Sequence, residues 1–407
     1  MRKPLAGIKV LELSTFVAAP SCARLLVDLG ADVIKVERPE GDNWRVTSKG
    51  YSAKHFSDYQ NPVFDIYNAG KKLISIDLKN PDGMEAFQKL LAQADVFVTN
   101  LRPAALKRLG IFYDDVKEKY PRLIYAIVLG YGEKGPDADK PALDVTAYWS
   151  KGGFLRDLSP LNEQYRPINA PSGVADTATG MFLMGEICAA LYNRDRTGKG
   201  DYVRTGLYHN GVFTMGTMNI IAQKAFGRTY PRSRIDHGSP DGNYQCADGE
   251  FVYLATISAA KTLPKLYDML GRPDLLDDPR FATSAARGQH LAEYFNALQD
   301  AFLTKPCNEW LKIAEEKDVP LIRQAHFSDV SEDEQAWANG YLEHVEFANG
   351  QVGVMPSSPI EMDSVGELKT VPASLIGADT REILKDLGYT EEQIEKMYAS
   401  GAVHTQE

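Results

Sequence analysis

The feature that most constrains the fold is an alternation of short apolar runs with longer helix-like segments. A β-branched run, "GIKVLELS", leads into "PSCARLLVDLGA", where Pro20 suits the first turn of a helix and Gly30 its end. A second run, "ADVIKVE", follows, so the unit reads as strand, helix, strand, whose right-handed crossover implies a parallel pair. The pattern recurs in "KLISIDLKN", "PDGMEAFQKLLAQA" with Pro81 at an N1-like position, "DVFVTN", "PAALKRLG" and "LIYAIVLGYG". Four or five such strands predict an α/β fold with a large Rossmann-like open parallel sheet, and such sheets bind ligands at strand carboxyl ends.

The chain has 407 residues, enough for more than one domain. The expected division is a large Rossmann-like domain over 1–200, completed by the C-terminal segment 370–407. A linker follows over 201–228, then a smaller α+β domain over 229–330 and a return linker over 331–369. The segment "DRTGKGDYVRTGLYHNGVF" reads as a turn feeding one more strand and a helix. "AKTLPKLYDMLG" and "CNEWLKIAEEKDVP" have helical apolar spacing, and Asp379 and Thr390 are expected to cap two terminal helices.

Several function classes are disfavoured. A net charge of -10 argues against broad nucleic-acid or anionic-membrane binding, though not against a local basic pocket. The N-terminal segment lacks a signal-peptide core, and nowhere do about 18 apolar residues run together, so a cytoplasmic protein without a membrane span is expected. Cys22, Cys188, Cys246 and Cys307 are far apart and the histidines are scattered, which predicts reduced structural thiols and no metal site. No G-x-G-x-x-G follows the first strand, which disfavours a nicotinamide enzyme; "GYGEKGP" (130–136) ends in Pro136, not the Lys-Ser/Thr of a P-loop. That turn is either a connector or a loop over a substrate.

Asp176, in "GVADTATGMF", stands at the start of an apolar helix among small residues. No Lys or Arg lies between Arg166 and Arg194, so the local sequence offers it no partner. A capping role is the common one for such a residue, and first-turn amides would favour its charged form. The alternative is a bare nucleophilic or basic carboxylate. Arg38, Lys71, Lys72, Arg102 and Arg108 fall near expected strand ends, where cations can hold phosphates or stack on a purine; each alone is as well read as a surface charge. Asn100 ends a strand and either bonds a ligand or shapes a turn. Asp144, in "PALDVTAY", either caps the next helix, which the local sequence favours, or orients a reacting acid. Cys22 and Cys188 sit in apolar helices, where a core role is favoured.

The segments "PLAGIKVLELSTFVAAPSCARLLVDLGADVIKVERPEGDNWR", "YNAGKKLISIDLKNPDG", "ADVFVTNLRPAALKRLG", "YAIVLGYGEKGP", "GVADTATGMF" and "GYTEEQIEKM" occur in an order that resembles the class III CoA-transferase family. That family includes formyl-CoA and carnitine CoA-transferases and α-methylacyl-CoA racemase. The resemblance spans essentially the whole chain and is greatest to the branch acting on 2-hydroxy acids such as phenyllactate or 2-hydroxyisocaproate. It implies Asp176 as the nucleophile that forms an aspartyl anhydride and then an aspartyl-CoA thioester. It places Val17 and Ala18 beside the thioester, Arg38 near the adenine, Lys71, Asn100 and Arg108 along the CoA groove, and Asp144 near the site. It also implies an interlocked homodimer, coenzyme A esters as substrates, and no permanently bound cofactor. Racemase relatives carry a His where this chain has Leu143, so racemisation is the lesser alternative, and a non-catalytic CoA-binding partner protein is a third. Formyl-CoA relatives carry a glycine-rich lid where this chain has only "HGSPDGNYQC", which implies a shorter lid or other shielding of the intermediate.

Overall fold

The computed structural model describes residues 2–51, 56–57, 59–159, 168–230, 239–256 and 258–406. By internal contacts the chain divides into two compact units, one of 1–154, 169–226 and 334–407, the other of 155–168 and 227–333.

In the first unit the apolar runs become β1 (Lys9–Leu13), β2 (Asp32–Glu37), β3 (Lys72–Ile76), β4 (Val96–Thr99), β5 (Ile124–Leu129) and β6 (Asp201–Gly206). They pair in parallel in the order β3-β2-β1-β4-β5-β6, and the short strand Val403–His404 joins β3 antiparallel. The order reverses between β1 and β4, where an open sheet leaves a crevice at its carboxyl edge. β6 opens the stretch expected as a linker: its polar alternation, "DYVRTG", marks an edge strand, and it pairs with β5 along its whole length.

Helices α1 (Ala18–Asp28), α2 (Asn43–Thr47), α3 (Pro62–Asn68), α4 (Pro81–Gln93) and α5 (Pro103–Arg108) follow the strands or their loops. The strand period of two sends alternate side chains to two cores. Leu11, Phe97 and Tyr125 join Phe87 of α4 on one face. Val10, Val98 and Ala126 join Leu26 of α1 on the other, together with Leu183 of a long helix, α6 (Val174–Thr197). α6 is long and apolar enough to cross a bilayer. It instead lies against α1, so closely that a Cβ on Gly180 would stand 2.0 Å from Ser21 Oγ and 2.6 Å from the Ala18 carbonyl. Helices α7 (Leu207–Thr214) and α8 (Gly216–Ile221) follow β6.

The second unit contains an antiparallel sheet of β7 (Gly242–Gln245), β8 (Phe251–Leu254) and β9 (Leu321–Arg323). It packs with α9 (Ala259–Met269), α10 (Leu291–Phe302) and α11 (Cys307–Lys317) around Tyr267, Leu298, Phe302 and Trp310. The stretch expected in place of a glycine lid begins at His237, which with Gly238 lies outside the described residues. From Ser239 it is a turn in which Asp241 accepts bonds from the Ser239 and Thr256 hydroxyls, each 2.6 Å, before β7.

The chain returns to the first unit through the hairpin β10 (Leu342–Glu346) and β11 (Val352–Pro356). It ends in α12 (Thr380–Asp386) and α13 (Glu391–Ala399), which add Leu384 and Ile394 to the α4 side of the core. Thr390 caps α13 as expected. Asp379 precedes α12, but its carboxylate accepts the Leu73 amide of β3 at 2.7 Å, fastening the C-terminal segment to the sheet.

Candidate active site

A cavity of about 490 Å³ opens where the sheet order reverses, walled by the segments that leave β1, β4 and β5. Thr15, Phe16 and Ala18 line it after β1, Asn100 and Arg102 after β4, and Lys140 and Leu143 at the end of the loop after β5. Asp176 reaches it from the first turn of α6.

The cap of α6 resolves the ambiguity of Asp176. The N-cap residue is Gly173, held at φ 81°, and it has no side chain to bond the first-turn amides. A Cβ there would also stand 3.1 Å from the Tyr67 hydroxyl. The cap comes from 32 residues away: Asp144 Oδ2 accepts the Asp176 N–H at 2.9 Å, and the Ala175 and Gly173 amides also support its charge. Asp144 begins a π-helix, Asp144–Ser150, a rare form that recurs at functional sites. So Asp144 does cap a helix, but a remote one, and Asp176 caps nothing.

The electrostatics follow. Burial raises the Asp176 carboxyl to about 7, and the charge of Asp144 pushes it the same way. No described residue donates a hydrogen bond or lends a cation to its carboxylate; Arg166 lies outside the described residues. The first-turn amides expected to favour its charge are directed at Asp144 instead. Asp144 is also raised, chiefly by burial, although those amides oppose the rise. Of the two acids, Asp144 is the one whose charge the backbone amides support.

Beside the cavity lies a second group of buried charges. Lys35 Nζ sits 2.9 Å from both Glu12 and Asp42, and Lys71 Nζ sits 2.7 Å from Glu12, all four side chains sealed from solvent or nearly so. Burial would raise Glu12, but Lys35 and Lys71 outweigh it and hold its carboxyl at about 2. Lys35 is raised by Asp42 and Glu12, whereas for Lys71 burial wins and lowers the ammonium to about 8. The group fixes a cavity wall, because Asp42 Oδ1 accepts the Thr15 hydroxyl and the Phe16 amide. Phe16 sits at φ 63°, a left-handed conformation uncommon outside glycine, so the turn is held from outside.

The expected site residues therefore separate. Ala18, Asn100, Asp144 and Asp176 come together around the cavity. Asn100 spends both ends of its amide on the Thr15 backbone, at 2.6 and 3.0 Å, so it shapes the turn while lining the cavity. Val17 is buried behind the wall as the residue before α1. Lys71 and Lys72 precede or begin β3 rather than ending it; Lys72 is exposed and pairs with Glu382, while Lys71 is internal, bonded to Glu12, Asn68 and the Pro20 carbonyl. Arg38, just past β2, is exposed and bonds the Gly41 carbonyl and Asn43; Arg108 is exposed at the far end of α5. Among the described residues, the cations that do line the cavity are Arg102 and Lys140. The turn at 130–136 borders the cavity through Gly130, and Lys140, four residues beyond its end, was within reach of that signal. Cys22 and Cys188 have thiols raised by burial, which disfavours the thiolate a nucleophile needs.

Residues 5–380 match the family model described as CoA-transferase family III. The chain is 40% identical to a (R)-2-hydroxy-4-methylpentanoate CoA-transferase of Clostridioides difficile, over 98% of this chain and 99% of that one. It is 35% identical to a cinnamoyl-CoA:phenyllactate CoA-transferase of Clostridium sporogenes, over 96% of this chain and 95% of the relative. Among solved structures it is similar to a CAIB/BAIF family protein of Brucella suis, at 27% identity and a TM-score of 0.80 over 95% of this chain and 100% of that one. The parallel sheet, the carboxylate at its reversal point and full-length similarity to named transferases agree: the chain belongs to CoA-transferase family III.

Proposed function

We propose that the protein moves CoA from an acyl-CoA donor to a 2-hydroxy carboxylic acid with a branched-alkyl or aryl side chain, with Asp176 as nucleophile. The observation that carries the chemistry is a carboxylate that faces the cavity at the strand carboxyl ends with no hydrogen bond or ion pair from the described residues. The two relatives named for 2-hydroxy-4-methylpentanoate and phenyllactate support the acceptor class.

In this reading an Asp176 oxygen attacks the donor thioester carbonyl, the C–S bond breaks, and CoA leaves as thiolate from an acyl-aspartyl anhydride. The thiolate attacks the aspartyl carbonyl and expels the donor acid, leaving an aspartyl-CoA thioester. The acceptor carboxylate attacks that thioester, giving a second anhydride and free thiolate, which attacks the acceptor's carbonyl and returns Asp176 to its carboxylate. Thioester and anhydride have comparable acyl-transfer potential, so each exchange is near balance and no activated water is needed. Arg102 and Lys140 are placed to meet the anionic part of CoA, while Arg38 and Arg108 reach only a ligand extending beyond the cavity. Leu143 lines the wall with no proton to offer, which supports transfer over racemisation.

A homodimer is part of the proposal. Phe182 of α6 meets Phe213 of α7 edge-on at 6.3 Å, and both are exposed, with Phe213 71% accessible; Val212 and Ile220 extend the apolar face. A face of that kind calls for a partner, and a second copy fits it. Four cysteines, none in a disulfide, fit a reducing compartment.

The test is a matrix of acyl-CoA donors against 2-hydroxy, 2-enoic, dicarboxylic and betaine acids, with CoA esters read by mass spectrometry. Transfer to 2-hydroxy acids is expected; transfer confined to another class, or interconversion of 2-methylacyl-CoA epimers, would contradict the reading. Light scattering should give about 90 kDa, twice the 45.0 kDa chain.

A further inference from the structure

The position of Asp176 within α6 poses a problem that Asp144 solves. With Gly173 as N-cap, Asp176 is the third residue of the helix. A carboxylate at that position ordinarily turns back on the amide of the N-cap residue, as in the capping box. Here the N-cap has no side chain to take the first-turn amides, so an unopposed Asp176 would have every reason to fold back upon them. Bonded in that way, its oxygens would be engaged and stabilised, and turned from the cavity.

The structure shows another acid already there. Asp144 Oδ2 holds the Asp176 amide at 2.9 Å, and the Gly173 and Ala175 amides support the same carboxylate. Asp144 is 5% exposed, and its Oδ1 has no hydrogen-bond partner among the described residues, so the support for its charge comes from these amides and not from solvent. We propose that Asp144 is a positioning residue for the transfer reaction: by capping α6 from outside, it occupies the first-turn amides and leaves the Asp176 carboxylate unbonded and turned into the cavity. The inference rests on Asp176 being the nucleophile and adds what keeps it available. The charge of Asp144 contributes further, because a like charge makes the neighbouring carboxylate more basic and hence a better nucleophile. The other groups facing this pair are Tyr67 of α3, whose hydroxyl feels both carboxylates, and Arg102 and Lys140 on the cavity wall.

Two variants separate this role from a structural one. Asp144→Asn keeps a carbonyl oxygen that can accept the Asp176 amide but removes the charge; Asp144→Ala removes both. The readouts are steady-state kinetics across pH and the rate at which acyl-CoA followed by hydroxylamine labels Asp176. For Asp144→Ala we expect kcat and the labelling rate to fall about 10²-fold, the loss typical of a misplaced reacting group, with KM for the CoA ester within about threefold. For Asp144→Asn the loss should be under about tenfold, and the acid limb of the pH profile should move down by about one unit as the like charge is removed. Should Asp144→Ala fail to fold, that shift alone decides. An unchanged pH profile in Asp144→Asn, or labelling of Asp144→Ala at the wild-type rate, overturns the positioning role. Wild-type protein that forms no adduct at Asp176 overturns the nucleophile itself, a distinguishable failure.

Discussion

Glu12 and Asp42 are buried at the carboxyl edge of the sheet with Lys35 and Lys71 beside them, whereas at the same edge the buried Asp144 and the half-buried Asp176 have no cation between them among the described residues. The first group has two charges of each sign, and its carboxylate Glu12 is held at about 2; the second has like charges, and Asp176 rises to about 7. Burial penalises both equally in kind. Pairing in the first turns the penalty into a fixed turn at Phe16, while its absence in the second leaves a carboxylate with unspent oxygens. Compensated charge builds the wall of the cavity, and uncompensated charge is left to react in it.

The comparison breaks most severely at Asp176 itself. Asp176→Ala should lower kcat/KM by about 10³-fold or more, as loss of a nucleophile does, while CoA binding by calorimetry stays within about threefold. In the paired group, Lys71→Met should leave Glu12 undercompensated and cost about 3–5 kcal/mol in chemical denaturation, the usual penalty for removing one partner of a buried pair. An unshifted denaturation midpoint would show that Lys71 is not needed to hold Glu12.

The two groups should also answer pH in opposite senses. The Glu12 carboxyl lies below its ordinary 4.5, so its contribution to stability is present above that value and is lost as pH falls toward 2. The Asp176 carboxyl lies above its ordinary 3.8, so the folded protein holds that proton more tightly and loses stability as pH rises from about 4 through 7. Accordingly Asp176→Asn should raise Tm by about 2–4 °C at pH 8 and by little at pH 5, measured by calorimetry. Wild-type kcat/KM for the acyl-CoA should climb between pH 6 and 8 as Asp176 ionises and level off above. A flat profile over that range would place the ionisation elsewhere. The smallest effect belongs to a cation outside both groups: Arg38→Ala, on the surface, should raise KM for CoA esters about twofold to fivefold with kcat little changed.

What could be read in the sequence follows from how local each cause is. The strands and their helices were legible because apolar period, Pro81 at a helix start and Gly30 at a helix end act over a few residues. Strand β6 belongs to the sheet and not to a linker because pairing with β5 decides it, and its own alternation is half polar. Asp176 looked like a cap on local grounds; resemblance across the chain, not its neighbours, marked it as a nucleophile. Its cap partner was out of reach because Asp144 lies 32 residues earlier, in a segment whose π-helix has no sequence period of its own. Lys71 was expected in the groove, yet its side chain runs under α1 to Glu12, a path set by how α1 docks. One further cause is local enough to be legible. Glu12 in "VLEL" and Lys35 in "VIKVE" are lone charges inside apolar strands, and in register they stand side by side. A parallel strand covered on both faces can carry such a charge only if it is paired.

The most direct test is chemical. Protein incubated with an acyl-CoA donor and then hydroxylamine, digested and sequenced by mass spectrometry, should carry a hydroxamate on Asp176, with borohydride reducing the aspartyl thioester at the same residue. An adduct on another residue, or none under conditions where CoA transfer proceeds, would contradict the assignment of the uncompensated carboxylate as the nucleophile.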